Sequence, residues 1–233
     1  FEEAETLLLQ ALAIEEGECG ADNPRLAGTL DRLGRLYRAW DRAESAELRL
    51  KRSLALKEKE AAPQVVAEGL DNLADLYLGL GRYQEAEALY IRLLKVQEEF
   101  LPADGLPIAA TLTALARCHL GQSRPARAEP PSKRALAIRE KVQGPHHPEV
   151  AGALDNLGYV CLQLGKFAAA ETLYKRSLAI AEQTQVADNL DVAICLENYA
   201  TVLGKLRKKA DAQNLEARAQ ALRAKLPAEP VLQ

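Results

Sequence analysis

The chain has 233 residues, of which 48% are hydrophobic and 27% are charged, and its formal net charge at pH 7 is −3. This slight acidic balance gives no electrostatic drive toward nucleic acid or a membrane surface. The absence of a long apolar run and of an apolar leader predicts a cytoplasmic protein with no membrane association. The four cysteines form no Cys-x-x-Cys pair, so we expect neither a disulfide framework nor a zinc site.

The sequence repeats with a period of about 42 residues. Apolar residues recur three and four positions apart, as in an amphipathic helix. Two ladders share one register, and together they predict an array of helix pairs. The first is a small alanine followed by an acidic or amide residue, at Ala4-Glu5, Ala46-Glu47, Ala86-Glu87, Ala128-Glu129, Ala170-Glu171 and Ala212-Gln213. The second is Leu30, Leu70, Leu112, Leu154 and Leu196.

The predicted elements start with an unpaired helix, Phe1 to about Gly17, followed by five helix pairs. Glycine or a short polar residue can end one helix and cap the next at the turn inside each pair. The pairs cover residues 25–40 with 42–60, 64–80 with 83–100, 107–121 with 124–142, 149–164 with 166–184, and 190–205 with 208–225. The turns lie near Asp41, Gly81, Ser123, Gly165 and Arg207, and the breaks between pairs at 20–24, 61–63, 103–107, 144–148 and 187–189. We therefore predict a single array over residues 1–226 and a C-terminal tail over residues 227–233.

The third pair departs from the pattern because its second helix contains Pro130-Pro131. A proline inside a helix removes a hydrogen bond and clashes with the preceding turn, at a cost of about 3 kcal/mol. We therefore predict that this helix begins late or is bent at the two prolines.

The segment Leu70 to Tyr90 reads Leu-Asp-Asn-Leu-Ala-Asp-Leu-Tyr, then Gly-Arg-Tyr, then Ala-Glu-Ala-Leu-Tyr, and resembles a tetratricopeptide repeat. The 42-residue period and the Gly-Pro-His-His-Pro linker at 144–148 resemble the subclass of kinesin light chains and their relatives. The resemblance covers nearly the whole chain. It implies an all-α superhelix, a tetratricopeptide solenoid of about five and a half repeats. The first helices of such repeats line a concave groove, and the usual ligand is a peptide or protein segment.

In this family the third residue of the Leu-x-Asn-Leu pattern faces the groove. An Asn amide there can donate to and accept from the backbone of a bound peptide. The matching residues are Asn72, Asn156 and Asn198, whereas Arg32 and Ala114 take that place in the first and third pairs. Alternatively, these amides bond only to a neighbouring helix or to water.

The same helix face carries a mixed set of charges, with a basic patch in the first pair. It comprises Asp31, Arg35 and Arg38, then Asp71 and Asp75, then Arg117, then Asp155 and Tyr159, then Glu197 and Thr201. Acidic groups of a ligand would meet the basic residues of this face, Arg32, Arg35, Arg38 and Arg117. Basic groups would meet Asp71, Asp75 and Asp155. Alternatively, the face is solvated and its charges pair with each other, each pair contributing less than about 1 kcal/mol. Kinesin light chains favour acidic cargo peptides, and the aspartates here argue against that preference.

No catalytic motif occurs: the sequence has no phosphate-binding loop, no zinc-protease histidine pair and no nucleophile beside a base. His119 takes a position held by Tyr37 and Tyr77 in other pairs, which favours packing over metal binding. His146 and His147 fit a capping role in their linker. We therefore expect no enzymatic activity, no cofactor and no metal.

The sequence favours a non-enzymatic scaffold, with the fourth and fifth pairs as its binding half because they keep Asn156, Asn198 and unbroken second helices. One alternative is a structural or self-associating array, since Leu8 and Leu12 of the unpaired first helix lack a covering helix. Another is the regulatory repeat region of a larger signalling protein or enzyme. The chain opens without Met inside a helical pattern, which indicates a piece of a longer protein.

Overall fold

The computed structural model describes residues 1–60, 62–184 and 190–225, which are helical apart from short turns. Helix α1 (Glu2–Cys19) is followed by a 3-10 turn at Pro24–Leu26 and then by five helix pairs. The pairs are α2 (Ala27–Ala39) with α3 (Ala43–Glu60), α4 (Pro63–Gly79) with α5 (Tyr83–Phe100), α6 (Leu106–Gly121) with α7 (Pro125–Gln143), α8 (Pro148–Gln163) with α9 (Phe167–Gln183), and α10 (Leu190–Lys205) with α11 (Lys209–Lys225).

The predicted all-α array of helix pairs is confirmed, and the predicted ends agree with the observed ones to within about two residues. The predicted break at 187–189 and the predicted tail, 227–233, lie outside the described residues. None of the helices in the described ranges combines the length and the apolar character that a membrane span requires.

The helices form two compact units, one of Phe1–Ala103 with Arg117–Gln122 and one of Asp104–Ala116 with Ser123–Gln233. In the first unit α3 packs both on its partner α2 and on the next first helix, α4. In the second unit α9 packs in the same way on α8 and on α10. Each of these second helices therefore joins two first helices, and short turns make the members of a pair antiparallel.

The alanine of the first ladder makes this packing possible. Ala46, Ala86, Ala128 and Ala170 are completely buried and Ala212 nearly so. A small side chain at the contact lets neighbouring helices approach closely. The repeat period in the sequence is therefore the period of helix contacts.

The acidic residue after each alanine reaches the next repeat. Lys166 Nζ donates to Glu129 Oε2 at 2.7 Å, and Lys208 Nζ donates to Glu171 Oε1 at 2.7 Å. Glu47 accepts hydrogen bonds from the Tyr77 hydroxyl, at 2.9 Å, and from the Arg82 guanidinium. Each bridge links a second helix to the helix end or turn of the following pair. Glu5 with Arg42 and Glu87 with Gln122 are further examples.

The turns inside the pairs adopt the left-handed backbone conformation at all five predicted positions. The φ angles are 56° at Asp41, 70° at Gly81, 57° at Ser123, 72° at Gly165 and 63° at Arg207. At four of these turns the next N–H bonds back five residues, as from Lys166 N to the Cys161 carbonyl at 2.9 Å. This is a Schellman end, so the predicted turn positions are confirmed.

The structure corrects the expectation that the proline pair delays α7. The helix begins at Pro125 and runs through Pro130 and Pro131 to Gln143 without a break. The two carbonyls that lose an N–H partner are those of Ala126 and Arg127, four residues earlier, and both residues are exposed. Water can hydrogen-bond to these carbonyls, which lowers the cost of the prolines. A bend at the pair stays a prediction.

The structure also corrects the apolar surface predicted for α1. Leu12 is buried, with 4% of its surface exposed, and Leu8 is half-buried. The exposed apolar residues of this helix are instead Leu7, Leu9 and Ile14. The reason is helical phase, because α1 packs on α2 along the face that contains Leu12.

Exchanging turn residues tests the cost of the left-handed conformation. Arg207→Gly should raise the free energy of unfolding by about 0.5–1 kcal/mol, and Gly165→Ala should lower it by about 1 kcal/mol, because L side chains are strained there. A Cβ added at Gly165 meets no atom within 4 Å, so any loss of stability in Gly165→Ala would report backbone strain alone. Urea titration followed by circular dichroism gives both values. Equal stability of the three proteins would contradict the strain account.

The bridge at Glu47 should make stability depend on pH. Hydrogen bonds from Arg82, and then from Lys51 and Tyr77, hold the pKa of Glu47 at about 2, below its ordinary 4.5. Such a carboxylate stabilises the fold above pH 4.5, and this contribution is lost as the pH falls toward 2.

Glu47→Gln should therefore lower the free energy of unfolding by about 1–2 kcal/mol at pH 7, allowing for the exposure of Arg82. The difference from the wild type should shrink below about pH 4.5 in urea titrations across about pH 3–7. The exposed Glu216→Gln serves as the control. A loss at Glu47 that does not change with pH would rule out this linkage.

Candidate functional site

A cleft of about 660 Å³ lies on the second unit, between α8, α9 and α10. Its walls include Asp155, Asn156 and Tyr159 of α8, Ser177, Leu178 and Ala181 of α9, and Asp191, Ile194, Cys195 and Asn198 of α10. We call this space the cleft. Its volume lies within the range of small-ligand sites.

Four of the predicted site residues meet at the cleft. Asp155 and Tyr159 are four positions apart on α8 and so lie on one face, and Asn156 is beside them. Asn198 reaches the same space from α10. Asn156 and Tyr159 are exposed, whereas Asn198 and Asp155 are half-buried. The structure therefore places two polar amides and one tyrosine at a surface that a ligand can reach.

The floor of the cleft contains a buried polar group. The Ser177 hydroxyl donates to the Ala151 carbonyl at 3.2 Å, and the Cys195 thiol lies 4.0 Å from that hydroxyl. Burial raises the pKa of Asp155 to about 6, although the neighbouring Cys195 and Ser177 side chains act in the opposite direction. Its Oδ1 atom is buried and has no hydrogen-bond partner among the described residues. Asp155 is therefore a half-buried carboxylate without a counter-charge in the described part of the chain.

The charge of the cleft is negative. Glu149, Asp155 and Asp191 line it, and the lining residues within the described ranges include no lysine or arginine. Glu149 pairs with Arg139 at 2.6 Å, outside the lining. Asp191 is exposed, and its charge contributes to the raised pKa of Asp155.

The other predicted residues lie on first helices of the first unit. Arg32 and Arg35 on α2 are exposed, and neither makes an ion pair among the described residues. Arg117 on α6 is also exposed. Their contact with a ligand stays a prediction.

On α4, Asp75 pairs with Arg38 at 3.7 Å and accepts a hydrogen bond from the Tyr90 hydroxyl at 2.6 Å. Burial, and then the charge of Asp75, raises the pKa of Asp71 to about 6. Asn72 Nδ2 is buried and lacks a hydrogen-bond partner among the described residues. Arg38 and Asp75 therefore pair with each other, as the alternative to ligand binding predicts.

The structure corrects the placement of Asp31, which sequence analysis put on the groove face. Asp31 is buried, with 2% of its surface exposed. Its Oδ1 is 2.5 Å from the Ser53 hydroxyl, and its Oδ2 accepts from Lys57 Nζ at 2.5 Å. Lys57 Nζ also donates to Glu68 at 3.1 Å. Ser53, Lys57 and Ser177 were not among the predicted residues, although serine recurs at one repeat position in the first and fourth pairs.

The remaining candidates for chemistry are packing or capping groups. Burial raises the pKa of the Cys118 thiol to about 11, which makes it a poor nucleophile. His119 is mostly buried, with Nδ1 3.7 Å from Glu87. His147 Nδ1 accepts from the Glu149 N–H at 3.2 Å and caps α8. Within residues 1–60, 62–184 and 190–225, no three His, Cys, Asp or Glu side chains are grouped so that they could hold a metal ion.

Comparison with known proteins gives one family and a set of similar folds. The tetratricopeptide repeat profile matches residues 1–59, 65–141, 132–183 and 149–225. The curated proteins give no significant match. The structure of BtubC (BKLC) from P. vanneervenii superposes with a TM-score of 0.81 at 21% identity, covering 98% of this chain and 94% of that one.

Two further solved structures share the fold at low identity. A putative kinesin light chain from Podosopora anserina has a TM-score of 0.75 at 20% identity, covering 87% of this chain and 96% of that one. A Rap protein complexed with Competence and Sporulation Factor has a TM-score of 0.59 at 15% identity, covering 87% of this chain and 65% of that one. Identities this low establish similarity of fold only.

Removing the buried charge of Asp155 should stabilise the protein. Because folding raises this pKa from 3.8 to about 6, the ionised form opposes folding. The contribution of this group to stability is most favourable below pH 3.8 and is lost as the pH rises through about 6. Asp155→Asn should therefore raise the free energy of unfolding by about 1–3 kcal/mol at pH 7 and change it little below about pH 4.

Urea titration across about pH 4–8 measures this difference, with the exposed Glu216→Gln on α11 as the control. A destabilising effect of Asp155→Asn at pH 7 would contradict the uncompensated charge.

Proposed function

The chain belongs to the tetratricopeptide repeat family, and we propose that it is a non-enzymatic scaffold that binds an extended segment of a partner protein in the cleft. The observation that carries this proposal is the meeting of Asn156, Asn198 and Tyr159 at one accessible cleft in a chain of this family. We place this function in the cytoplasm, on the composition of the chain.

The two asparagines suit a peptide backbone. They lie on α8 and α10, first helices of consecutive pairs that are in contact. Packed helix axes are about 8–10 Å apart, and an extended peptide advances about 3.3 Å per residue. Asn156 and Asn198 would therefore contact backbone groups about three residues apart. An amide both donates and accepts, so such contacts do not depend on the ligand's side chains.

Apolar side chains beside the asparagines would remove water from the bound segment. Tyr159 is 38% exposed and Ile194 is 40% exposed, and both line the cleft. Tyrosine is among the residues that contribute most to binding energy at interfaces. The Rap protein solved with its factor supports the idea that arrays of this fold bind such partners.

Self-association is a second candidate function, and α1 favours it. Leu7 and Ile14 are 60% and 63% exposed on this helix. A second copy could cover this apolar face. Sedimentation equilibrium tests the idea, since a monomer at micromolar concentration would leave it without support. A regulatory role within a larger signalling protein or enzyme is compatible with the scaffold.

A displayed library of random peptides tests the scaffold function. The wild-type chain should select peptides, and Asn156→Ala with Asn198→Ala should weaken a selected peptide about 10- to 100-fold. This matches about 1–3 kcal/mol for two buried hydrogen bonds. Fluorescence polarisation with the labelled peptide measures the change.

Asn214→Ala is the matched control, because it removes an exposed amide from α11, outside the cleft lining, and should leave the affinity unchanged. Failure of the wild type to select any peptide would contradict the proposed function. An unchanged affinity in the double variant would contradict the role of the two asparagines.

A further inference from the structure

The first and fourth helix pairs contain an aspartate and a buried serine at equivalent positions, and the aspartate is buried in the first pair and half-buried in the fourth. Asp31 with Ser53 in the first pair corresponds to Asp155 with Ser177 in the fourth, 124 residues further along the chain in both cases. The Ser53 hydroxyl lies 3.1 Å from the Ala27 carbonyl, and the Ser177 hydroxyl lies 3.2 Å from the Ala151 carbonyl. Each carbonyl belongs to the residue four positions before the aspartate. The serine of each copy therefore lies against the equivalent backbone carbonyl of the first helix.

The copies differ in one residue that carries charge. In the first pair Lys57, one helical turn after Ser53, places its buried ammonium 2.5 Å from Asp31. The corresponding residue one turn after Ser177 is Ala181, which lines the cleft. The fourth pair thus keeps the carboxylate and the serine but lacks the cation. A buried carboxylate whose counter-charge is removed is strongly unfavourable.

No other residue in the described part of this neighbourhood replaces the missing cation. The sequence contains no lysine or arginine between Lys141 and Lys166, a stretch that includes α8, and none between Arg176 and Lys205. The two basic residues of α9 are engaged elsewhere, Lys175 with Glu171 at 2.9 Å and Arg176 with Glu140.

The space beside Asp155 is part of an open cleft. In the first pair Glu68 of α4 also accepts from the lysine. The equivalent position on α10 is Ile194, and the nearby acidic residue of the cleft is Asp191. A positive group entering the cleft would meet two carboxylates and Tyr159, whose ring can pack against the alkyl chain of a basic residue.

We propose that the cleft accepts a lysine or arginine side chain of the bound segment, with its charged group beside Asp155 in the place that Lys57 occupies beside Asp31. This inference rests on the proposed function, since a partner segment supplies the cation. Asn156 and Asn198 hold the backbone, and Asp155 selects the side chain. The cleft therefore recognises a basic segment, whereas the exposed arginines of α2 would attract acidic groups.

Transplanting the lysine tests the site without any ligand. Ala181→Lys recreates the sequence of the first pair, and Ala181→Met adds similar bulk without charge. Each change is made in the wild type and in Asp155→Asn, and unfolding constants are measured at pH 7. The ratio of the unfolding constant of the methionine variant to that of the lysine variant measures how much the charge stabilises the fold. This ratio should be at least about tenfold larger with Asp155 than with Asn at that position. An equal ratio in both backgrounds would overturn the cation site.

Peptide selection tests the ligand. Peptides selected by the wild type should share a lysine or arginine, and replacing it with norleucine or glutamate should weaken binding at least about tenfold. Asp155→Asn and Ala181→Lys should each abolish this preference, the second because its own lysine fills the site. Selected peptides without a shared basic residue would overturn the inference while leaving the scaffold function standing. Selection of no peptide would contradict the scaffold function itself, and with it the peptide as source of the cation.

Discussion

The burial of a small alanine at one position of each second helix is the constraint on which the rest of the structure depends. Because Ala46, Ala86 and Ala170 are small and fully buried, the neighbouring helices can approach each other closely. The glutamate that follows each of them can then reach the following pair, as Glu171 reaches Lys208. Regular spacing of first helices follows from these two contacts, and that spacing places Asn156 and Asn198 on the same cleft.

The features that sequence analysis predicted are those set by local chemistry and by period. A repeat of about 42 residues fixes where each helix begins, and a Schellman end needs a left-handed residue at one position, so both the helix pairs and the five turns were predictable. The position of Asn156, Asn198 and Tyr159 at the cleft was predictable because α8 and α10 are intact copies of the repeat. Their arrangement needed no long-range information beyond the stacking of equal units.

The features that it missed depend on one side chain meeting another far along the chain. Asp31 was predicted on the groove face because it lies one position before the residue that takes the Asn place, yet Lys57 and Ser53 make its burial tolerable. Leu12 was predicted to be exposed because the phase of α1 against α2 could not be deduced from the repeat alone. The proline pair was assigned too large an effect, since the carbonyls of Ala126 and Arg127 are on an exposed face. Ser177 gave a weak signal, because serine at that position recurs only at Ser53.

The scarcity of basic residues around the cleft also decides how it can be observed by mass spectrometry. Trypsin cleaves after lysine and arginine, so α8 is released whole within the peptide Val142–Lys166, and all of α10 within Ser177–Lys205. The first of these peptides contains Asp155, Asn156 and Tyr159, and the second contains Ser177, Cys195 and Asn198. Two tryptic fragments therefore contain nearly the entire cleft, and carboxylate footprinting or cross-linking of a bound partner can be followed through these two masses.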